Sequence, residues 1–259
     1  MGDFAAFTIT RNEPLFLRTW LNYYTSNFPP EDVYVIDNST DDGSVEEARL
    51  LHPRVNFVCV PSRGTHVSLF LKQVVEQMQR ELLQRYPVVV FAETDEFLIP
   101  NAKYVNLRDY CERFLKSKDQ WRRAVGWNVV QQPGEAMLSR TPGAQLLVDR
   151  RSMWRLPMYD KTLVTKVPMT YQRGFHNFYL NGIKQVNEPI DPTLSLLHGW
   201  CLDVDEYFRR HSARLNIADR QSVIDVFANI DKQSNQFGDP YAVGEVQLMP
   251  EHWRQLLTY

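Results

Sequence analysis

Several absences bound this sequence before any motif is read. No apolar run approaches the ~18 residues that a membrane-spanning helix needs. The opening Met-Gly-Asp-Phe has neither the basic region nor the apolar core of a signal peptide. Ala6 stands where a myristoylation signal behind Gly2 requires Ser or Thr. Cysteine is scarce: Cys59, Cys111 and Cys201 are odd in number, far apart and without metal-ligand spacing. They exclude a disulfide frame and read as reduced thiols of a cytosolic protein. Charge of one sign is also missing. A formal net charge of −2 argues against a nucleic-acid binder or a polybasic membrane anchor. No internal repeat, low-complexity tract or linker interrupts the 259 residues, so one domain over 1–259 is the simplest account.

What is present alternates strand and helix over the first hundred residues. Phe4–Thr10 is a short apolar strand. Asn12 is the expected cap of a helix whose first turn holds Pro14 and whose stripe is Leu17, Trp20, Leu21 and Tyr24. Strands are expected at Asp32–Asp37 and Val55–Val60. A long helix carries Val67, Leu71, Val74, Val75, Met78 and Leu82, and a fourth strand at Val88–Ala92 follows Pro87. This order predicts a parallel α/β sheet with right-handed crossovers. The second half is less regular. A helix is expected after Asn106 with Leu107, Tyr110, Cys111, Phe114 and Leu115. Strands are expected at Ala124–Val130 and Gln145–Val148, and a helix through Val223, Val226, Phe227 and Ile230.

The most informative stretch is Val88-Val89-Val90-Phe91-Ala92-Glu93-Thr94-Asp95-Glu96-Phe97. Its apolar part reads as a strand buried on both faces. Three carboxylates follow at once, and buried carboxylates need partners. Such a run ends at the carboxyl edge of the sheet, where α/β folds bind ligands. A divalent ion between these acids and substrate phosphates is the economical reading. Asp37 ends the second strand and leads into Asn38-Ser39-Thr40-Asp41-Asp42-Gly43-Ser44, where an Asx turn is the competing role.

Thr10-Arg11-Asn12-Glu13, the Val35–Ser44 segment and the Glu93–Phe97 edge together resemble the glycosyltransferase family 2-like group, in order and spacing over roughly residues 4–100. Gly174-Phe175-His176 and Leu196-Leu197-His198-Gly199-Trp200 are similar to later landmarks of one branch. The resemblance implies a GT-A fold: a mostly parallel nucleotide-sugar half over about 1–100, flanked by helices, and a less regular acceptor half over about 101–259. It implies metal-dependent transfer from a nucleotide-diphosphate sugar, with uridine the default base, to a saccharide or glycan acceptor, with inversion. Carried over by position, Thr10, Asn12, Glu13, Asp37 and Arg63 contact the nucleotide. Glu93-Thr94-Asp95 stands for the family's Asp-x-Asp motif, with Glu in place of the first Asp. Asp95, Glu93 and His198 are the implied ligands of Mn²⁺ or Mg²⁺. His176 is a candidate sugar or acceptor contact.

Residues 150–173 interleave Arg150, Arg151, Arg155, Lys161, Lys166 and Arg173 with Trp154, Tyr159 and Tyr171. One or two of these cations, Lys161 first, are expected to neutralise the departing diphosphate, and most of the six charges read as a solvated surface. An inverting transferase needs a general base; Asp160 leads the candidates, then Asp149, with Glu188 and Asp191 also possible by type. Trp127 and Asn128 are candidates for the acceptor pocket, with plain core the competing role for Trp127. The expected partners are a sugar-nucleotide donor and a glycan acceptor, without nucleic acid or an integral membrane segment. The chain is expected to work in the cytoplasm, alone or as one module of a larger glycan-assembly enzyme. Two alternatives stand beside this: a catalytically silent GT-A-like scaffold, and a sugar-1-phosphate nucleotidyltransferase. The second needs a glycine-rich loop after the first strand, and Thr10–Pro14 contains no glycine.

Overall fold

The computed structural model describes residues 2–61, 68–132, 134–138, 146–180, 182–185, 189–215, 219, 221, 223–224 and 246–258. Arg63, Val67, Gln145, Glu188 and residues 225–230 of the expected late helix lie outside the described residues.

In chain order the elements are β1 (Phe4–Thr10), α1 (Pro14–Asn27), β2 (Val33–Asp37), α2 (Ser44–Leu51), β3 (Asn56–Cys59), α3 (Ser68–Leu83), β4 (Val88–Phe91) and β5 (Glu96–Pro100). There follow α4 (Leu107–Lys116), β6 (Trp121–Val130), α5 (Leu146–Asp149), β7 (Ser152–Arg155), β8 (Thr162–Thr165), β9 (Thr170–Tyr171), β10 (Phe178–Leu180) and β11 (Ile183–Gln185). The last are β12 (Ile190–Cys201), α6 (Val204–Leu215), β13 (Gln247–Leu248) and α7 (Glu251–Leu256).

The expected parallel half is present: β3, β2, β1 and β4 lie side by side with all neighbours parallel. Helices α1, α2 and α3 connect them. Later strands extend the same sheet in mixed orientation. β8 pairs antiparallel with β4, β6 antiparallel with β8, and β12 runs parallel to β6 while pairing antiparallel with β5. A small sheet of β9, β10 and β11 lies apart from this path. Two local expectations are corrected. The cap position of α1 is Glu13, because Asn12 takes a left-handed φ of 56°. The expected strand at Gln145–Val148 is instead, from Leu146 on, the short helix α5 at Leu146–Asp149; a run of three apolar residues does not distinguish strand from helix.

Helix α1 buries Phe16, Leu17, Trp20, Leu21, Tyr23 and Tyr24, each such side chain worth about 1.5–3 kcal/mol of transfer free energy. It also pins β5. The Tyr23 hydroxyl donates to Leu98 O at 2.5 Å, and the Tyr24 hydroxyl bridges Glu96 O and Leu98 N–H at 3.3 Å. Asn27, at the far end of α1, accepts from Leu107 N–H at 2.9 Å and donates to Tyr23 O at 2.8 Å, joining α1 to the start of α4. At that start Asn106 caps α4 as expected, accepting from Asp109 N–H at 2.9 Å.

Candidate functional site

The carboxyl edge of the parallel strands collects most of the residues singled out by sequence. β1 lies between β2 and β4, with Thr10 in register with Asp37 and Phe7 with Phe91. Asp37 and the acids after β4 are therefore two strands apart on one rim, about 10 Å at the usual strand spacing. Side chains bridge the rim across β1. Asn12 Nδ2 donates to Asp41 Oδ1 at 2.7 Å, and Asp41 N–H donates back to Asn12 Oδ1 at 3.0 Å. Glu13, the next residue, receives Arg210 Nε at 3.0 Å, and the same guanidinium reaches Asp95 Oδ2 through Nη1 at 2.8 Å.

Register explains how distant residues reach the acids. Extending the β4–β8 pairing of Val90 with Val164 by three residues places Lys161 opposite Glu93. Lys161 Nζ donates to Glu93 Oε2 at 2.7 Å and Glu96 Oε1 at 2.5 Å. The lysine is 1% exposed and Glu96 wholly buried, whereas the Glu93 side chain is 35% exposed. Burial drives Glu96 up to about 7 despite Lys161. Burial draws the Lys161 ammonium down, but Glu93 and Glu96 together hold it above its ordinary value. Lys161 is thus committed to protein carboxylates as it stands.

His198 lies in register with Glu96 on β5 and Asn128 on β6, so the three share one face. His198 Nδ1 meets Asn128 Oδ1 at 2.7 Å. A carbonyl oxygen only accepts, so Nδ1 carries the proton and Nε2 turns its lone pair toward Asp95 Oδ2, 3.6 Å away. Burial holds the imidazole down at about 3, hence neutral, although Asp95 opposes. Tyr159 stacks on the ring at 4.1 Å between centroids. Asp95 is buried, which pushes its carboxyl up, but the Arg210 guanidinium holds it well below the usual carboxylate range. Its backbone carbonyl accepts Gly199 N–H at 2.7 Å.

Two electron-rich atoms, His198 Nε2 and Asp95 Oδ2, therefore face one another, the second of them held by Arg210 Nη1 at 2.8 Å. A neutral imidazole and a carboxylate are suitable donors for a divalent cation, with the imidazole favouring Mn²⁺ over Mg²⁺. Such ions take few protein ligands and complete their shell on substrate phosphates. Glu93 is turned to Lys161 instead, and among the described residues no three His, Cys, Asp or Glu side chains converge. Of the three expected ligands, Asp95 and His198 face one another and Glu93 does not join them.

Further along the rim, buried polar atoms stand without hydrogen-bond partners: Thr10 Oγ1, Asn38 Oδ1, Thr40 Oγ1 and Glu13 Oε2. Asp37 accepts Thr40 N–H at 2.8 Å through Oδ1, so the Asx turn is real and engages one of its two oxygens. Burial raises Glu13 to about 7 against the pull of Arg210.

The remaining candidates are placed differently. Asp160 accepts Gly126 N–H at 2.8 Å and Arg155 Nη2 at 2.7 Å, so both its oxygens are occupied. It anchors the turn that hangs Tyr159 and Lys161 over the rim. Gly126 makes that turn possible, since a Cβ there would lie 2.4 Å from Tyr159 backbone carbon and oxygen. Asp149 is exposed at the end of α5, and no described contact joins it to the rim. His176 donates from Nδ1 to Met158 O at 2.6 Å and meets the rim through Tyr159, 5.3 Å between centroids. Burial, then Lys161, lowers it to about 4. Within the basic segment Arg151 is exposed, but Arg150 and Lys166 are not solvated surface. Arg150 is buried against Asp203 and Leu202 O, and Lys166 Nζ donates to Leu115 O and Ser117 O at the end of α4. The three cysteines are free thiols, Cys59 exposed and the others buried. Sequence reasoning missed Arg210. Its signal was the stripe Val204, Tyr207, Phe208 and His211, which marks a helix carrying Arg209-Arg210 beside it.

No protein-family model and no curated protein matches the chain. Among solved structures it is similar to TarS 1-349 of S. aureus in complex with UDP, at 13% identity and a TM-score of 0.33 over 53% of this chain and 38% of that one. A second structure of TarS 1-349 aligns over 93% of this chain and 75% of that chain, at 11% identity and a TM-score of 0.39. Glucosyl-3-phosphoglycerate synthase of Mycobacterium tuberculosis, in complex with Mn²⁺, UDP and glucosyl-3-phosphoglycerate, aligns at 14% identity and a TM-score of 0.31. That alignment covers 51% of this chain and 44% of the synthase. At these identities and TM-scores none of the three decides a residue's role here. Among the described residues no helix is long and apolar enough to cross a membrane.

Proposed function

We propose that this chain is a metal-dependent glycosyltransferase whose donor, a nucleotide-diphosphate sugar, lies along the carboxyl rim. One observation carries the reading. Partnerless buried polar atoms (Thr10 Oγ1, Asn38 Oδ1, Thr40 Oγ1) line the same edge as a carboxylate and an imidazole lone pair that face each other. Native interiors seldom leave such atoms unpaired; a nucleoside supplies partners for the first set and a diphosphate-bound cation for the second. In this arrangement Thr10, Asn38 and Thr40 hold the nucleoside, and the second oxygen of Asp37 takes a ribose hydroxyl. Asp95 and His198 hold the cation, of which Mn²⁺ suits the imidazole better. When bound, that cation neutralises charge on the nucleoside diphosphate as it leaves. Glu93, the most exposed of the three acids that follow β4, is paired with Lys161. Uridine as base, a saccharide acceptor and inversion follow the sequence resemblance. Neither Asp160 nor Asp149, the expected bases, belongs to the rim's hydrogen-bond network.

The test is thermal stabilisation by UDP-, GDP- and dTDP-sugars with and without Mn²⁺. A ligand at about 100 times its Kd adds about 2.7 kcal/mol to the native state, or roughly 5–10 °C for a domain of this size. Asp95→Asn is expected to abolish the Mn²⁺-dependent part of that rise. A metal-dependent rise that survives in Asp95→Asn removes Asp95 as a ligand. The absence of any nucleotide-sugar effect in the wild type overturns the whole proposal.

A further inference from the structure

The oxygen of Asp95 that faces His198 Nε2 is Oδ2, and Oδ2 is also the atom that Arg210 Nη1 grips at 2.8 Å. A cation shared between Asp95 and His198 and the guanidinium of Arg210 therefore need the same atom. The rest of the surroundings is arranged so that Arg210 can yield it. Asp95 keeps its place without the arginine, because Gly199 N–H holds its main chain at 2.7 Å. Arg210 has a second anchor, Glu13 Oε1, reached from Nε at 3.0 Å. Its guanidinium also lies over the Phe16 ring, 4.9 Å from the centroid. A planar fork held at both ends releases one end without losing the other.

We propose that Arg210 is a tethered competitor for the divalent cation, holding Asp95 Oδ2 until a cation arrives and thereafter resting on Glu13 alone. This rests on the proposal that Asp95 and His198 hold that cation. The released N–H edge would then be free to pair with an anionic donor, so that metal and donor would be favoured together and metal alone disfavoured. The arginine thereby sets how much free metal the protein binds.

The test uses Mn²⁺ alone, its binding followed by electron paramagnetic resonance on the full chain at constant ionic strength. Arg210→Gln is expected to bind Mn²⁺ at least about tenfold more tightly than wild type. Adding Asp95→Asn to that variant is expected to erase the gain. Equal or weaker Mn²⁺ binding by folded Arg210→Gln overturns the proposal, as does a gain that survives Asp95→Asn. Arg210→Gln leaves Asp95 without its cation and Glu13 with Arg209 alone, 3.7 Å from Oε2, so folding of the variant is checked by circular dichroism. If it does not fold, the charge-balanced Glu13→Gln/Arg210→Gln pair must show the same gain, and a folded pair without it overturns the proposal equally. A gain in Mn²⁺ affinity in a protein that no nucleotide sugar stabilises supports the role of Arg210 and overturns the transferase reading.

Discussion

Replacing Lys161 by Met tests the arrangement of the rim most severely. The methionine preserves length and apolar stem but removes the charge that neutralises Glu93 and Glu96. Glu93 is partly exposed and can turn to water, whereas Glu96 is wholly buried and cannot. Removing one partner of a buried pair costs about 3–5 kcal/mol. At about 2–4 °C per kcal/mol for a domain of this size, Lys161→Met is expected to lower Tm by about 6–20 °C at pH 8. The loss depends on pH in a definite direction. In the folded wild type Glu96 binds its proton more tightly than in the unfolded chain, titrating at about 7 against 4.5. That contribution favours folding fully below pH 4.5 and is lost as pH rises through 7. Without Lys161 the ionised form loses its attraction, so the variant's deficit grows from pH 5 to pH 8. Thermal unfolding at several pH values measures it, and Lys161→Met/Glu96→Gln should recover at least half of the loss. The glutamine can still accept the Glu93 N–H that Glu96 Oε2 now accepts at 3.1 Å. A deficit equal at pH 5 and pH 8, or a double variant as unstable as the single one, would refute the reasoning.

Gly126→Ala puts a methyl 2.4 Å from the Tyr159 main chain. Overpacking of this kind costs about 1–3 kcal/mol, and because Tyr159 and Lys161 share the displaced turn, the variant should also lose Mn²⁺-dependent stabilisation; an unchanged melting profile contradicts this. Asn27→Ala leaves the Leu107 N–H without its 2.9 Å acceptor in a buried setting, a cost of about 1–3 kcal/mol. Hydrogen exchange at the first turn of α4 should quicken while α3 stays protected, and equal protection of both helices counts against the assignment.

Local pattern made the nucleotide-type half legible. β4 is apolar in every position and α3 repeats its stripe at helical spacing, so periodicity and turn chemistry alone place the strands, their parallel order and the acids at their carboxyl ends. Asp37 and Asp95 were chosen on those grounds, Glu13 and His198 on the family resemblance, and the four lie along one rim. The second half was less legible because its short strands pair across long separations. Runs such as Thr162–Thr165 carry no periodic signature of their own.

What the amino-acid order alone determined was which residue types stand at the sheet's edge. What only the tertiary structure decided was which charge answers which. Lys161 lies 65 residues from Glu96 and Arg210 lies 115 from Asp95, and strand register and helix packing bring them together. The physical reason is that a buried charge requires a counter-charge within a few ångströms. Burial is a property of the assembled fold, and no local stretch of sequence specifies it.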